Sequence, residues 1–273
     1  MQKSNLTVRI LTTFGLLPLL LALLFVGPAW AWYLLVAAAA VVASAELFAM
    51  THPGDRVAQT VGVVTTLGVS GTVYQMSEDA RAMMILVMSV CLIGGLVPLW
   101  RLGDVRTSAL RMMAGMAGPL YVGVLLTTLG LLRRDQHSLG SSYVFMALSF
   151  AWLGDTGGYF FGKYLGRRKL YPAVSPKKTV AGLVGAIIAS SLGGLGVHLW
   201  LLQSVPLTHA IGLGALAGGL GQLGDLAESL LKRSAGVKDS GFIIPGHGGL
   251  LDRIDALLVI APMVYVYATW HTA

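Results

Sequence analysis

Apolar runs follow one another almost from end to end of this chain, with polar residues confined to the short gaps between them. Within a run, apolar residues stand on every side of a helix. Neither a strong 3.6-residue period nor a strict alternation emerges. Helices surrounded by lipid have this pattern, because they show no face to water. A spanning helix needs about 20 such residues. The runs divide into nine predicted spans: 10–26, 29–50, 57–76, 82–100, 112–132, 142–162, 181–202, 207–231 and 254–270. The predicted fold class is all-α: a polytopic integral membrane helical bundle with its N-terminus in the cytoplasm.

Composition strengthens this reading. Of 273 residues, 55% are hydrophobic and 11% charged, where a soluble domain carries about 25% charged residues. The lone cysteine, Cys91, lies inside an apolar run, which excludes a disulfide framework or a cysteine metal site. The net charge of +7 reads as lysine and arginine held on the cytoplasmic side near anionic lipid, with no nucleic acid partner expected. At the start, Lys3 and Arg9 precede Ile10–Val26, and Ala29–Ala31 is similar to a signal-peptidase site. The run is longer than a usual signal core and a second run follows at once, so it is read as a retained helix.

Orientation follows from the basic residues. With the N-terminus inside, the outer segments hold only Arg81, Arg133 and Arg134 of the chain's 19 lysines and arginines. This bias satisfies the positive-inside rule. Charges are scattered through the early chain and gather in the later inner loops. The expected division is a scaffold of membrane helices, 1–140, and a catalytic region with cytoplasmic polar loops, 141–273.

Half of the twelve carboxylates fall after residue 150: Asp155, Asp225, Glu228, Asp239, Asp252 and Asp255. An ionised group at membrane depth costs several kcal/mol and persists where it meets a cavity, a partner or a metal. Asp155 fits a role in the site, or an ion pair with Lys163. Asp225, Ser229 and Lys232 have i, i+4, i+7 spacing and share a helix face, which Glu228 can join. Asp252 and Asp255 open the last span three residues apart. Carboxylates mixed with Lys232, Arg233, Lys238 and Arg253 suit a bound Mg²⁺ with a phosphorylated ligand. The plain alternative is a set of ion pairs on a cytoplasmic loop.

Between these groups lies "KDSGFIIPGHGGLLDRID", Lys238–Asp255. Its glycines permit close approach of backbone amides to an anion, though ordinary turns use them too. His247 could donate to phosphate, act as a general acid or hold structure. A second polar loop, Gly162–Thr179, carries six cations and no carboxylate. Within it Ser175, Lys177, Lys178 and Thr179 suit a grip on phosphate. The G-x-G-x-x-G match at Gly219–Gly224 is declined as a dinucleotide site, because no strand precedes it. Close helix packing explains it, with Gly214 and Gly218 as a small-xxx-small pair.

Ser229–Asp255, "SLLKRSAGVKDSGFIIPGHGGLLDRID", resembles the signature of phosphatidate cytidylyltransferases, also called CDP-diacylglycerol synthases. "GDLAES", "GDTGGYFFGKYLGRRKL" and "SPKKT" also look like family segments, so the resemblance covers about 150–260. Three departures stand out: Ala181 for a common glutamate, Gly154 for asparagine, and Ala256 for serine. The resemblance implies Mg²⁺-dependent transfer of a cytidylyl group from CTP to phosphatidic acid, giving CDP-diacylglycerol and pyrophosphate. It implies Asp225, Asp252 and Asp255 as metal ligands, with or without a second cation, and Asp225, Asp252, Lys232 and Asp255 as the catalytic set. Ser175, Lys177, Lys178, Ser229, Arg233, Lys238, Asp239, His247 and Arg253 would hold substrate. A homodimer is the family expectation; the positive-inside count supports a bacterial inner membrane with the active site facing the cytoplasm. A transporter, a lipid kinase using CTP and a silent scaffold are the rival readings.

Overall fold

The computed structural model describes residues 15, 17–241 and 248–272. Lys3, Arg9 and His247 lie outside the described residues. Residues 17–25 are helical. There follow α1 (Ala29–Thr51), α2 (Arg56–Met76), α3 (Ala80–Trp100), α4 (Val105–Pro119), α5 (Leu125–Asp135), α6 (Gly140–Leu165), β1 (Lys169–Tyr171), β2 (Ser175–Thr179), α7 (Val180–Trp200), α8 (Leu207–Ser234), the one-turn α9 (Leu251–Ile254) and α10 (Leu257–Thr272). Every apolar run predicted from residue 29 onward is therefore helical.

Among the described residues, four helical segments are long and apolar enough to cross a membrane: α1, α3, the continuous Val105–Asp135 and α7. Helix α10 is apolar but shorter. Helices α2, α6 and α8 are also long, but they carry the polar groups that the later sections use. The chain is an almost entirely helical, lipid-adapted protein.

Carboxylates in the gaps set where several helices begin. Asp55 accepts from the Ala58 amide (3.1 Å), Asp79 from the Arg81 amide (2.9 Å) and Asp104 from the Arg106 amide (2.9 Å). Each satisfies an amide that the helix itself leaves unpaired. The Asp104 cap starts α4 at Val105, ahead of the apolar run at 112. After Pro119, which has no N–H to give, residues Leu120–Val124 form a π turn before α5 resumes the α ladder.

Two corrections concern the polar segments. The "SPKKT" stretch, expected as loop, is β2, paired antiparallel with β1 through Lys169 opposite Thr179 and Tyr171 opposite Ser175. A strand of five residues containing proline and two lysines has no apolar alternation to announce it. The last apolar helix begins at Leu257, leaving Asp255 in the turn before it.

The described residues form two compact units. The first takes the chain to Gly130 and adds Asp239–Arg253; the second is Leu131–Lys238 with the chain from Ile254. This partition differs from the expected regions 1–140 and 141–273, since part of the signature segment belongs with the early helices. In the first unit the Trp32 indole N–H donates to the Leu129 carbonyl (3.1 Å), the Tyr33 and Tyr74 rings stack at 3.7 Å, and the Ser70 and Thr127 hydroxyls pair at 2.7 Å. Asp55 also ties Arg111 (2.7 Å) and Arg101 (3.3 Å). Burial pushes the Asp55 carboxyl up, but the Ala58 amide and the two guanidiniums outweigh it and hold it below its usual range.

In the second unit α6 packs on α7 and α7 on α8, and Tyr143, Met146 and Phe150 of α6 are buried. Lipid supplies no hydrophobic drive for such packing, so close approach of backbones does. The declined glycine motif is one such contact: a Cβ on Gly218 would stand 2.6 Å from the Ala186 carbonyl oxygen of α7.

Candidate functional site

Helix α8 supplies most of the chemistry. It is 28 residues long, and its last turn carries Lys232 and Arg233. Cations there complement the negative end of the helix. It stops at once because Gly236 takes a φ of +74°, letting the Val237 amide reach back to the Lys232 carbonyl at 2.9 Å. Arg233 also donates to the Val237 carbonyl at 2.9 Å. The basic pair is thus held at a fixed helix end.

One turn earlier the predicted face is present. The Ser229 hydroxyl donates to Asp225 Oδ1 at 3.3 Å, and Lys232 Nζ pairs with Glu228 Oε2 at 2.6 Å. The pair is buried: the Glu228 side chain is 0% exposed and that of Lys232 11%. Strand β2 adds a second lysine. Successive strand residues point to opposite faces, so Lys177 is exposed while Lys178 turns inward. Lys178 Nζ lies 2.7 Å from Asp225 Oδ2 and 3.1 Å from the Gln222 carbonyl. Thr179 caps α7 by accepting from the Gly182 amide at 3.1 Å. That cap pins the strand to the helix beside the lysine.

Asp255 completes the group. One oxygen each from Asp225, Glu228 and Asp255 lie within 4.8 Å of one another. Asp255 is buried, accepts from the Ala256 amide at 2.7 Å, and has no ion pair among the described residues. Its nearest acidic neighbours are the carboxylates of Asp225 and Glu228. Among the described residues Lys178 pairs with Asp225 and Lys232 with Glu228. Oxygen donors gathered this closely suit a hard divalent cation, and such an ion would favour the ionised form of Asp255. Asp155 is exposed on α6.

Asp252 lies in the first unit, where its Oδ2 accepts from the Ser240 amide (3.0 Å) and the Gly249 amide (3.1 Å). It closes the limbs of the signature segment on each other. Lys238, Asp239 and Arg253 are exposed and Ser175 is half-buried.

Sequence reasoning missed Glu46. This glutamate of α1 is 4% exposed. Its Oε2 accepts from the Ser240 hydroxyl (2.9 Å) and the Leu251 amide (2.8 Å), and its Oε1 from the Leu250 amide (2.9 Å). The available signal was a lone carboxylate inside the apolar run 29–50. Its donors, two of them backbone amides, leave no motif.

Comparison with known proteins adds a family. A model of the cytidylyltransferase family matches residues 7–271. A Bacillus subtilis protein named phosphatidate cytidylyltransferase is 43% identical over 132 residues, 48% of this chain and 49% of its own length. Staphylococcus saprophyticus and Staphylococcus aureus proteins of the same name are 42% identical over 132 residues and 40% over 140, each match covering 48% of this chain and 51% of theirs. The chain thus spans about half the length of the curated relatives it matches.

Proposed function

The chain belongs to the cytidylyltransferase family, and on that premise we propose that it transfers a cytidylyl group from CTP to phosphatidic acid, releasing pyrophosphate and CDP-diacylglycerol. One observation carries the reading. Carboxylates of Asp225, Glu228 and Asp255 converge within 4.8 Å, with Lys178 and Lys232 bound among them. Such a grouping supports the reading of a cation and phosphates held in one place.

A phosphate oxygen of phosphatidic acid attacks the α-phosphorus of CTP. The new P–O bond forms as the bond to the β-phosphate oxygen breaks, and pyrophosphate takes that electron pair. The attacking oxygen is ionised at neutral pH, so the chain needs no strong general base. Its task is positioning and charge neutralisation. Asp225, Asp255 and Glu228 are the residues that would hold Mg²⁺, which when bound supplies charge neutralisation at phosphate oxygens. Lys178 and Lys232 keep the carboxylates paired and offer further N–H donors to phosphate. Asp252 accepts from the Ser240 and Gly249 amides; its expected part as a metal ligand rests on the sequence.

Support for the finer reading comes from the basic residues. The proposal keeps nine spans, a cytoplasmic N-terminus and an inner-membrane setting with the site on the cytoplasmic side. Arg233, Lys238, Arg253, Lys177, Ser175, Ser229, Asp239 and His247 are its substrate-binding set, and a homodimer its assembly. The test uses purified protein in detergent, phosphatidic acid and α-³²P-labelled CTP, with and without Mg²⁺. Label in lipid only with Mg²⁺ is the expected result. Label reaching lipid from γ-labelled CTP instead identifies a kinase and overturns the proposal.

A further inference from the structure

Glu46 has an unusual set of partners for a carboxylate in an apolar helix. Among the described residues it has no lysine or arginine ion pair; its charge is met by a hydroxyl and two backbone amides. Those donors come from the two limbs of the signature segment. Ser240 lies on the entering limb, and Leu250 and Leu251 on the leaving limb. Asp252 spans the same two limbs through the Ser240 and Gly249 amides. Ser240 is thus held twice, by its hydroxyl on Glu46 and by its amide on Asp252.

Two glycines of the segment are accounted for by this contact. A Cβ on Gly241 would stand 2.5 Å from Glu46 Oε1, and one on Gly249 would stand 2.6 Å from Glu46 Oε2. At Gly249 the Cβ would meet the Ser240 hydroxyl before the carboxylate, and the Gly241 amide nitrogen at 2.7 Å. Gly241 makes room for the Glu46 carboxylate, and Gly249 for the Ser240 hydroxyl bound to it.

We infer that Glu46 is a positioning residue for the signature segment: its carboxylate fastens Ser240, Leu250 and Leu251 and so fixes the turn that presents Asp252. A helix of the early chain, with no residue of the signature, thus holds Ser240, Leu250 and Leu251 of the signature. The functional half of this inference rests on the cytidylyl-transfer reading. The positional half stands on the hydrogen bonds alone.

The variants distinguish a clamp from a filler. Glu46→Gln keeps the volume but turns an NH₂ toward amide donors. Glu46→Asp keeps the charge and shortens the reach. Val90→Ala is the control, because Val90 is a buried apolar residue of the same unit, 1% exposed. Amide hydrogen exchange is read on the full-length detergent-solubilised protein, on peptides spanning 248–256. Glu46→Gln is expected to speed exchange at Leu250 and Leu251 about tenfold, the loss of a buried hydrogen bond. Glu46→Asp falls between it and the parent, and Val90→Ala leaves these amides unchanged. In the transfer assay Glu46→Gln raises KM for CTP more than it lowers kcat, and Glu46→Asp recovers part of the difference. Unchanged exchange in Glu46→Gln overturns the inference, as does equal acceleration in Val90→Ala. Faster exchange in Glu46→Gln, in a protein that labels no lipid at all, leaves the clamp standing and removes the proposed reaction.

Discussion

Glu46 and Glu228 are both buried glutamates of long helices, and their surroundings are opposite. Glu46 is enclosed by donors, and its oxygens accept three hydrogen bonds from the polar segment. Glu228 stands among other acceptors, with Asp225 and Asp255 within 4.8 Å and one lysine at 2.6 Å. A carboxylate met by amides needs nothing further and holds a structure together. Carboxylates facing one another carry a cost that a bound cation repays. The burial of a charge therefore says little by itself; the sign of its neighbours separates an architectural group from a chemical one.

That contrast can be broken at its strongest point first. Asp225→Asn is expected to cut label transfer about 100-fold or more while the protein remains monodisperse and helical. Near-normal turnover at limiting Mg²⁺ would take Asp225 out of the proposed metal site. Glu228→Gln comes next, because it removes the carboxylate that Lys232 pairs with at 2.6 Å in a buried position. Removing one partner of such a pair costs about 3–5 kcal/mol, read as a lower unfolding temperature in detergent. Glu228→Gln with Lys232→Met should recover much of that stability without restoring transfer. Recovery of both would make the pair architectural, like Glu46.

The scaffold side of the comparison gives smaller effects. Gly218→Ala places a methyl 2.6 Å from a carbonyl oxygen of α7 and should cost about 1–3 kcal/mol. At Gly219 a Cβ meets nothing within 4 Å, so Gly219→Ala should be neutral or stabilise by up to about 1 kcal/mol. Matching losses at both positions would argue against packing as the reason for that glycine run. The smallest effect is a pH dependence. The folded-state pKa of Asp55 lies below its ordinary 3.8. Its contribution is complete above that ordinary value and fades as pH falls through the lowered one. Asp55→Asn should flatten the acid limb of the stability curve in that range.

Local pattern explains what was legible in the sequence. Apolar runs announced the helices because lipid demands apolarity along their whole length, and the α8 face was readable because Asp225, Ser229 and Lys232 share it by spacing alone. The hairpin was hidden: β2 is short and polar, and its inward lysine is defined by a partner on another element. The start of α4 depended on the single cap Asp104. Glu46 was hidden most deeply, since two of its donors are main-chain amides, which every sequence contains. Asp252 was legible as a polar residue of consequence, but its present partners, the amides of Ser240 and Gly249, could not be read from spacing.

The Glu46 contacts also order events in time. Its partners lie 194 to 205 residues further along the chain. At about 5–20 residues per second a ribosome needs roughly 10–40 seconds to make that interval. Throughout it, the first unit has its charge in place and lacks the groups that will receive it. The unit that is begun earliest is thus among the last to be finished, and a nascent chain arrested before Ser240 lacks every donor that Glu46 will meet.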